Sequence, residues 1–445
     1  MGDAFVLRGG RVVTSLDPVR IVEADVAISG GRIAELSKRS GRVSSGWDCS
    51  GCLILPGHVV AHHHLYSSLA TGMPFDLEPP ANFLQILQRV WWRLDRALDE
   101  ESIRSSALVG AAQAAMAGTT TVIDHHASPN AVDGSLDIVA DALEEVGLRS
   151  ILSYEVSDRD GLEVARAGLA ENARFLAAER PLARGMVGAH ASFTLSAETL
   201  AGCAALAEET GAGVHIHVAE DEVDQVASRA AFGISVIERL SRAEIVDERS
   251  LLAHCVHVGP REIATIRSTG ATVAHNARSN MHNAVGRAPV DRLGERVAVG
   301  TDGMGGDLFA EAQAAYLTAH EQDRATGPDW ALRSIAQGSA FTGRTFHEPL
   351  LGPIEPGAPA DLTVVAYDPP TPLDERNLAG HYLFGLNAAR VRDVMVAGET
   401  VVRDGQLTRL DSTKVFARAA EVAERLWHRM AQIPAHPFQP DGLPS

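Results

Sequence analysis

Eight short apolar runs, each followed by an Ala- and Leu-rich stretch, recur through the middle of this chain: GHVVAHHH, TTTVIDHH, RSILSYEV, RGMVGAHASF, GVHIHVAE, SLLAHCVHV, ATVAHNARSN and RVAVGTDG. Strands that read as nearly continuous hydrophobic segments are covered on both faces, and their alternation with helices makes the sheet parallel. Eight such units predict an α/β fold built on a TIM-like (β/α)8 barrel over residues 57–353. The first fifty or so residues follow another pattern, β-branched runs broken by Gly pairs, as in FVLRGGRVV and ADVAISGGRIAEL, which suits a small antiparallel sheet. That pattern returns in ADLTVVAYDP and VRDVMVAGETVVRDGQL, so residues 1–56 and 354–410 are expected to meet in a small discontinuous β-sandwich. Within 411–445, LDSTKVFARAAEVAERLWHRMAQI predicts an amphipathic helix N-capped by Asp411 or Ser412, followed by a loose Pro-rich tail over the last ten residues.

A length of 445 residues allows one large catalytic unit with a smaller companion and no need for covalent staples. The formal charge of −18 argues against nucleic-acid or anionic-membrane partners, which call for clustered Lys and Arg. No apolar run approaches the roughly 20 residues of a membrane helix, and MGDAFVLRGGRVV lacks the features of a secretory signal, so the cytoplasm is the expected address. Cys49 and Cys52 form a CxxC pair, but a zinc ribbon needs a second pair and a redox site needs a following helix, whereas LILPG reads as a strand.

Polar and ionisable residues gather at the C-terminal ends of the predicted strands, where barrel enzymes place their catalytic groups. The first run ends in His62-His63-His64. Side chains alternate along a strand, so His62 and His64 share a face that His63 does not. The fifth carries the same-face pair His215 and His217 and then Glu220; the sixth ends in His254 and the eighth in Asp302. A single histidine at a strand end is ordinarily a hydrogen-bonded core or surface residue. All of these on one set of strand ends have little structural reason to coincide, and they predict a metal site.

The order HxH, HxxE, H and GTDG, in AHHHLYSSL, HIHVAED, LLAHCVH and VAVGTDGMGG, resembles the amidohydrolase superfamily in its cytosine-deaminase and chlorohydrolase-like branch, over nearly the whole chain. WWRLDRALDEES, GTTTVIDHHASP, GSLDI, VAHNARSNM and DPPTPL are similar to aminohydrolases of the SsnA type, whose substrates are poorly defined. The resemblance implies that His62, His64, His217 and Asp302 hold one divalent metal per subunit, most simply Zn2+, with Fe2+ or Mn2+ able to use the same donors. Two-metal members of the superfamily bridge their ions with a carboxylated lysine, and no lysine lies in the barrel region here. It also implies a hydrolase of C–N bonds in cyclic amidines that takes ammonia from a small purine, pterin, pyrimidine or triazine-like heterocycle. In that reading Asp302 accepts a proton from the attacking water, Glu220 protonates a ring nitrogen and His254 orients the water. Family analogy adds a homodimer or higher homo-oligomer.

Candidate substrate contacts are Ser67, Trp92, His126, His190 and Arg278. Ser67 stands where similar 8-oxoguanine deaminases carry Gln, which argues against a guanine-like substrate. The WWRLD segment reads equally as an aromatic wall over the mouth or as a helix start packed inward. Arg278 reads equally as a partner for a substrate oxygen or carboxylate and as a surface salt bridge. Competing activities are ring-opening hydrolysis of a cyclic amide or amidine and removal of a halide or alkylamine. From another class comes a non-catalytic metabolite-binding protein, which would be expected to lack one of the roles filled here.

Overall fold

The computed structural model describes residues 5–38 and 46–442. His58–His63, Thr119–His126, Arg149–Tyr154 and Ala183–Gly185 pair in that order as a four-stranded parallel sheet. Val187–Ala191, Val214–Val218, Leu251–His254, Thr272–His275 and Val297–Val299 form a five-stranded one. The fourth predicted run is the one that divides. It breaks at Met186, its first part pairing back to Arg149–Tyr154 and its second forward to Val214–Val218. Met186 N–H donates to Leu152 O at 2.9 Å and Val187 N–H to Gly213 O at 3.0 Å, so one continuous stretch of chain joins the two sheets. At their other edges, the N–H groups of Thr301 and Asp302 donate to His62 O at 2.8 and 3.0 Å.

These strands are buried along their length because helices cover them. Val59, Ala61, Ile123, Ile151, Met186, Leu251, Ala274 and Ala298 pack with Phe341 and Phe346 of helix Asp329–Phe346 in one cluster. Each large side chain buried there contributes roughly 1.5–3 kcal/mol.

The terminal segments do meet. Cys52–Pro56 lies between Arg11–Leu16, to which it is parallel, and Leu362–Ala366, to which it is antiparallel, within a ten-stranded sheet. A buried bidentate pair ties this sheet to the parallel strands: Arg149 Nε and Nη2 reach Asp361 Oδ2 and Oδ1 at 2.9 and 3.1 Å. The four cysteines are free and buried, and burial pushes the Cys49 thiol up to about 11, which suits packing rather than redox exchange.

Helix Ser412–Ala431 is capped by Asp411, whose carboxylate accepts the N–H groups of Thr413 and Lys414. Over residues 432–442 the chain beyond it is not the loose tail that its prolines suggest, and the last three residues of that expectation lie outside the described ones. His436 is buried, donates its N–H to Gln88 O at 2.8 Å and packs its ring 5.2 Å from Trp92, with Phe438 5.8 Å from the same indole. Two rings outweigh the composition of the segment. No helix among the described residues is long and apolar enough to cross a membrane.

Candidate active site

Strand periodicity sends His62 and His64 to one point and turns His63 aside, where its Nδ1 lies 2.9 Å from Thr301 Oγ1. His64 Nε2 lies 3.1 Å from His217 Nε2 and 3.1 Å from Asp302 Oδ1; His62 Nε2 is 3.5 Å from that same oxygen and has no hydrogen-bond partner. The four donor atoms fall within 4.8 Å of one another, all on buried residues. Each imidazole is engaged on its far side. His64 Nδ1 donates to His125 O at 2.6 Å, His217 Nδ1 to His190 O at 2.9 Å, and His62 Nδ1 lies 2.8 Å from His215 Nε2. A neutral imidazole has one donor, so the two carbonyl contacts aim the Nε2 lone pairs of His64 and His217 inward, and His62 follows when its Nδ1 donates to His215.

Burial holds His62 and His217 well below the usual imidazole range. Burial lowers His64 too, but its hydrogen bond to Asp302 and that carboxylate's charge offset this and hold it up to about 9. Two Nε2 atoms 3.1 Å apart beside a carboxylate need a positive charge among them, which the proton on His64 supplies here and a divalent ion would supply in its place, so this donor set fits such an ion.

Glu220 and His254 stand beside it, with His254 Nε2 3.6 Å from Glu220 Oε2 and 3.9 Å from Asp302 Oδ2. Burial pushes the Glu220 carboxyl up to about 7, and Asn283 Nδ2 donates to its Oε1 at 3.2 Å. His254 Nδ1 donates to Asn280 Oδ1 at 2.8 Å, which leaves Nε2 facing the site. The Ser279 hydroxyl donates to Asp302 Oδ2. Four residues with left-handed backbone, Ala219 (φ 45°), His254 (φ 73°), Cys255 (φ 51°) and Asp302 (φ 51°), lie at these strand ends. Such conformations cost about 1–3 kcal/mol each and gather where a side chain must be re-aimed.

A cavity opens to solvent over this cluster. Ser67, Trp92 and His190 line it. The Ser67 hydroxyl donates to His64 O at 2.8 Å. Trp92 opens a helix and is 1% exposed, and it also forms part of the cavity wall.

Two candidates fall elsewhere. His126 is fully buried outside the lining, its Nε2 3.0 Å from Ser128 Oγ, because the strand's pleat turns it from the cavity. Arg278 is held by Glu311, whose Oε2 lies 2.5 Å from its Nε, and by Gly305 O at 2.7 Å, because a fully buried carboxylate lies within its reach. Sequence reasoning passed over Glu155, Asn283, Ser279 and Asp224, all of which line the cavity. For Glu155 the signal was present, since it closes the third apolar run.

Residues 53–401 match the Amidohydrolase family. The chain belongs to that family. Among relatives of this amidohydrolase, a 5-methylthioadenosine/S-adenosylhomocysteine deaminase of Pelotomaculum thermopropionicum is 31% identical, over 96% of this chain and 99% of its own. A 5'-deoxyadenosine deaminase of Methanosarcina mazei is 29% identical, over 97% and 100%. An adenosine deaminase from Xanthomonas campestris with bound zinc superposes with a TM-score of 0.82 at 22% identity, covering 95% of this chain and 98% of its own. An atrazine chlorohydrolase from Arthrobacter aurescens complexed with zinc gives 0.81 at 23%, covering 94% and 100%. At those identities the two structures speak for the fold.

Proposed function

We propose that this amidohydrolase releases ammonia from an amino-substituted nitrogen heterocycle, on a closed (β/α)8 barrel over residues 57–353 with the terminal segments 1–56 and 354–410 as its companion unit. The observation that carries the reading is the convergence of three inward Nε2 atoms and the Asp302 carboxylate, with Glu220 and His254 beside them. His62, His64, His217 and Asp302 would hold one divalent ion, and Zn2+ suits three imidazoles and a carboxylate. When bound, such an ion lowers the pKa of a coordinated water from about 15.7 toward about 7, supplying a nucleophile at neutral pH.

The chain's own groups do the rest. Asp302 accepts the proton of the attacking water and returns it to the departing amine. Glu220, poised at about 7, gives a proton to the ring nitrogen so that negative charge does not build there. His254, fixed through Asn280, presents Nε2 to the oxygen that develops on the ring carbon. The relatives' substrates, by their names, are adenine nucleosides, so purines lead the panel.

The test incubates metal-loaded protein with purine, pterin, pyrimidine and triazine amines and follows ammonia and ring absorbance together. Ammonia from at least one member, with Glu220→Gln keeping its metal and losing about 1000-fold or more in kcat, is the expected result. Ring opening without ammonia, or full turnover by Glu220→Gln, overturns the reading.

A further inference from the structure

The cavity has a sign. Its walls include five carboxyl side chains, Glu155, Glu220, Asp221, Asp224 and Asp302, and among the described residues no lysine or arginine. Burial pushes Glu220 and Asp224 up to about 7 and raises Glu155 as well, so the field at neutral pH is weaker than five full charges. What decides the matter is that, among the described residues, no lysine or arginine faces the space, and His64, an imidazole that does, is paired with Asp302. Three arginines come near, and each is already engaged. Arg159 is fully enclosed by Asp95, Glu155 and Asp160. Arg239 donates to Ser192 Oγ at 2.9 Å and Leu195 O at 2.7 Å and lies over the Phe232 ring. Arg278, which the sequence offered as a carboxylate partner, is held by Glu311 and Gly305.

Phe83, Leu87, Trp91, Phe193 and Met304 add apolar wall, and polar groups such as Ser67, Ser279 and Asn283 stand among them, none of them a guanidinium or an ammonium. An anionic substituent entering here would give up its water without gaining a lysine or arginine counter-charge, which is the expensive way to bury a charge. The charge of −18 on the whole chain acts in the same direction on approach. A divalent ion held by His62, His64, His217 and Asp302 would be partly neutralised by that carboxylate and would supply its remaining charge to the attacking water.

We infer that the substrate is an amino-heterocycle whose remaining substituent is uncharged and apolar or aromatic, and that the site rejects analogues ending in phosphate or carboxylate. This rests on the deaminase reading and narrows it: nucleobases and nucleosides fit, nucleotides and ring carboxylates do not. The discrimination is electrostatic, since like charge meeting like charge at a desolvated surface costs enough to lower kcat/KM on the order of a hundredfold.

Three pairs that share a ring and differ in charge test it on the zinc-loaded wild type: adenosine against adenosine 5'-monophosphate, cytosine against 5-carboxycytosine, and pterin against pterin-6-carboxylate. In every pair that yields ammonia, the uncharged member is expected to lead in kcat/KM by about a hundredfold, with the gap narrowing as salt rises. Leu87→Arg, which places a cation in the wall, is expected to narrow it by about tenfold. A charged member that matches or beats its partner overturns the inference while leaving deamination intact, and so does a ratio that neither salt nor Leu87→Arg moves. Silence from all three pairs and from every other amine of the wider panel overturns the deaminase reading and the inference together.

Discussion

His254 is not one of the four converging donors, yet its ring is fixed as firmly as theirs. For His64 and His217 the outer anchor is a backbone carbonyl; for His254 it is the side-chain amide of Asn280, at 2.8 Å. A carbonyl cannot be mutated away and an amide can, so this is where the second layer of the site is open to test. Asn280→Ala is expected to free the His254 ring and cost about 10- to 100-fold in kcat, with metal content unchanged because no metal donor is touched. Asn280→Asp, which keeps an acceptor at the same place, is expected to recover part of the loss. Steady-state kinetics with elemental analysis decides it, and wild-type kcat in Asn280→Ala removes Asn280 from any positioning role. His62, His64, His217, Glu220, His254 and Asp302 were visible in the sequence because strand-end placement and period-two alternation are local properties. Asn280 and Asn283 were not, since they reach the site from the helix Ala277–His282 and its C-cap, and only tertiary packing brings that helix alongside. Glu155 closes an apolar run just as the others do, but a lone carboxylate at a strand end looks the same in sequence whether it faces a ligand or an arginine. Here it does both.

At the scale of elements, the turn after Val214–Val218 shows how a helix start holds a catalytic loop. Asp224, in the first turn of helix Glu222–Phe232, accepts the N–H of Ala219 at 2.9 Å and of Phe193 at 3.1 Å, binding the turn that carries Glu220 to the neighbouring strand end. Ala219 itself adopts φ 45°, so the turn needs such an anchor. Burial pushes the Asp224 carboxyl up to about 7, against the pull of those two N–H groups and of Arg239. The folded protein therefore keeps a proton that the unfolded chain gives up near pH 4. Stability linked to this group is fully present below about pH 4 and declines as the pH rises to about 7, above which the loss is complete. Urea titrations across pH 4–8 are expected to show a steeper decline for wild type than for Asp224→Asn, which has no proton to lose. Parallel curves would mean that the two N–H groups keep Asp224 ionised throughout.

For the whole molecule, the alternation of apolar runs with helical stretches was enough to foresee a parallel α/β core and a sheet shared by the two ends of the chain. What it could not carry was the division of the fourth run at Met186, because a strand that changes partner midway reads like one that does not. The tail was misread for a related reason: composition reports how readily a segment orders alone, while His436 and Phe438 order against a surface nearly 350 residues away in sequence. That contact connects the end of the described chain to the cavity, since Trp92 has its indole against His436 and Phe438 and also 6.0 Å from His190. His436 also reaches Asp160, a member of the ion cluster around Arg159, at 3.4 Å. Ring contacts of this kind contribute about 0.5–1.5 kcal/mol each, so removing two of them leaves the wall looser while the catalytic groups stay in place. The double variant His436→Ala, Phe438→Ala is accordingly expected to raise KM about fivefold, with kcat within about twofold of wild type and metal content unchanged. A lowered Tm with unaltered KM would show that the tail serves stability alone, whereas a fall in kcat with KM constant would place Trp92 closer to the reacting atoms than its position in the wall implies.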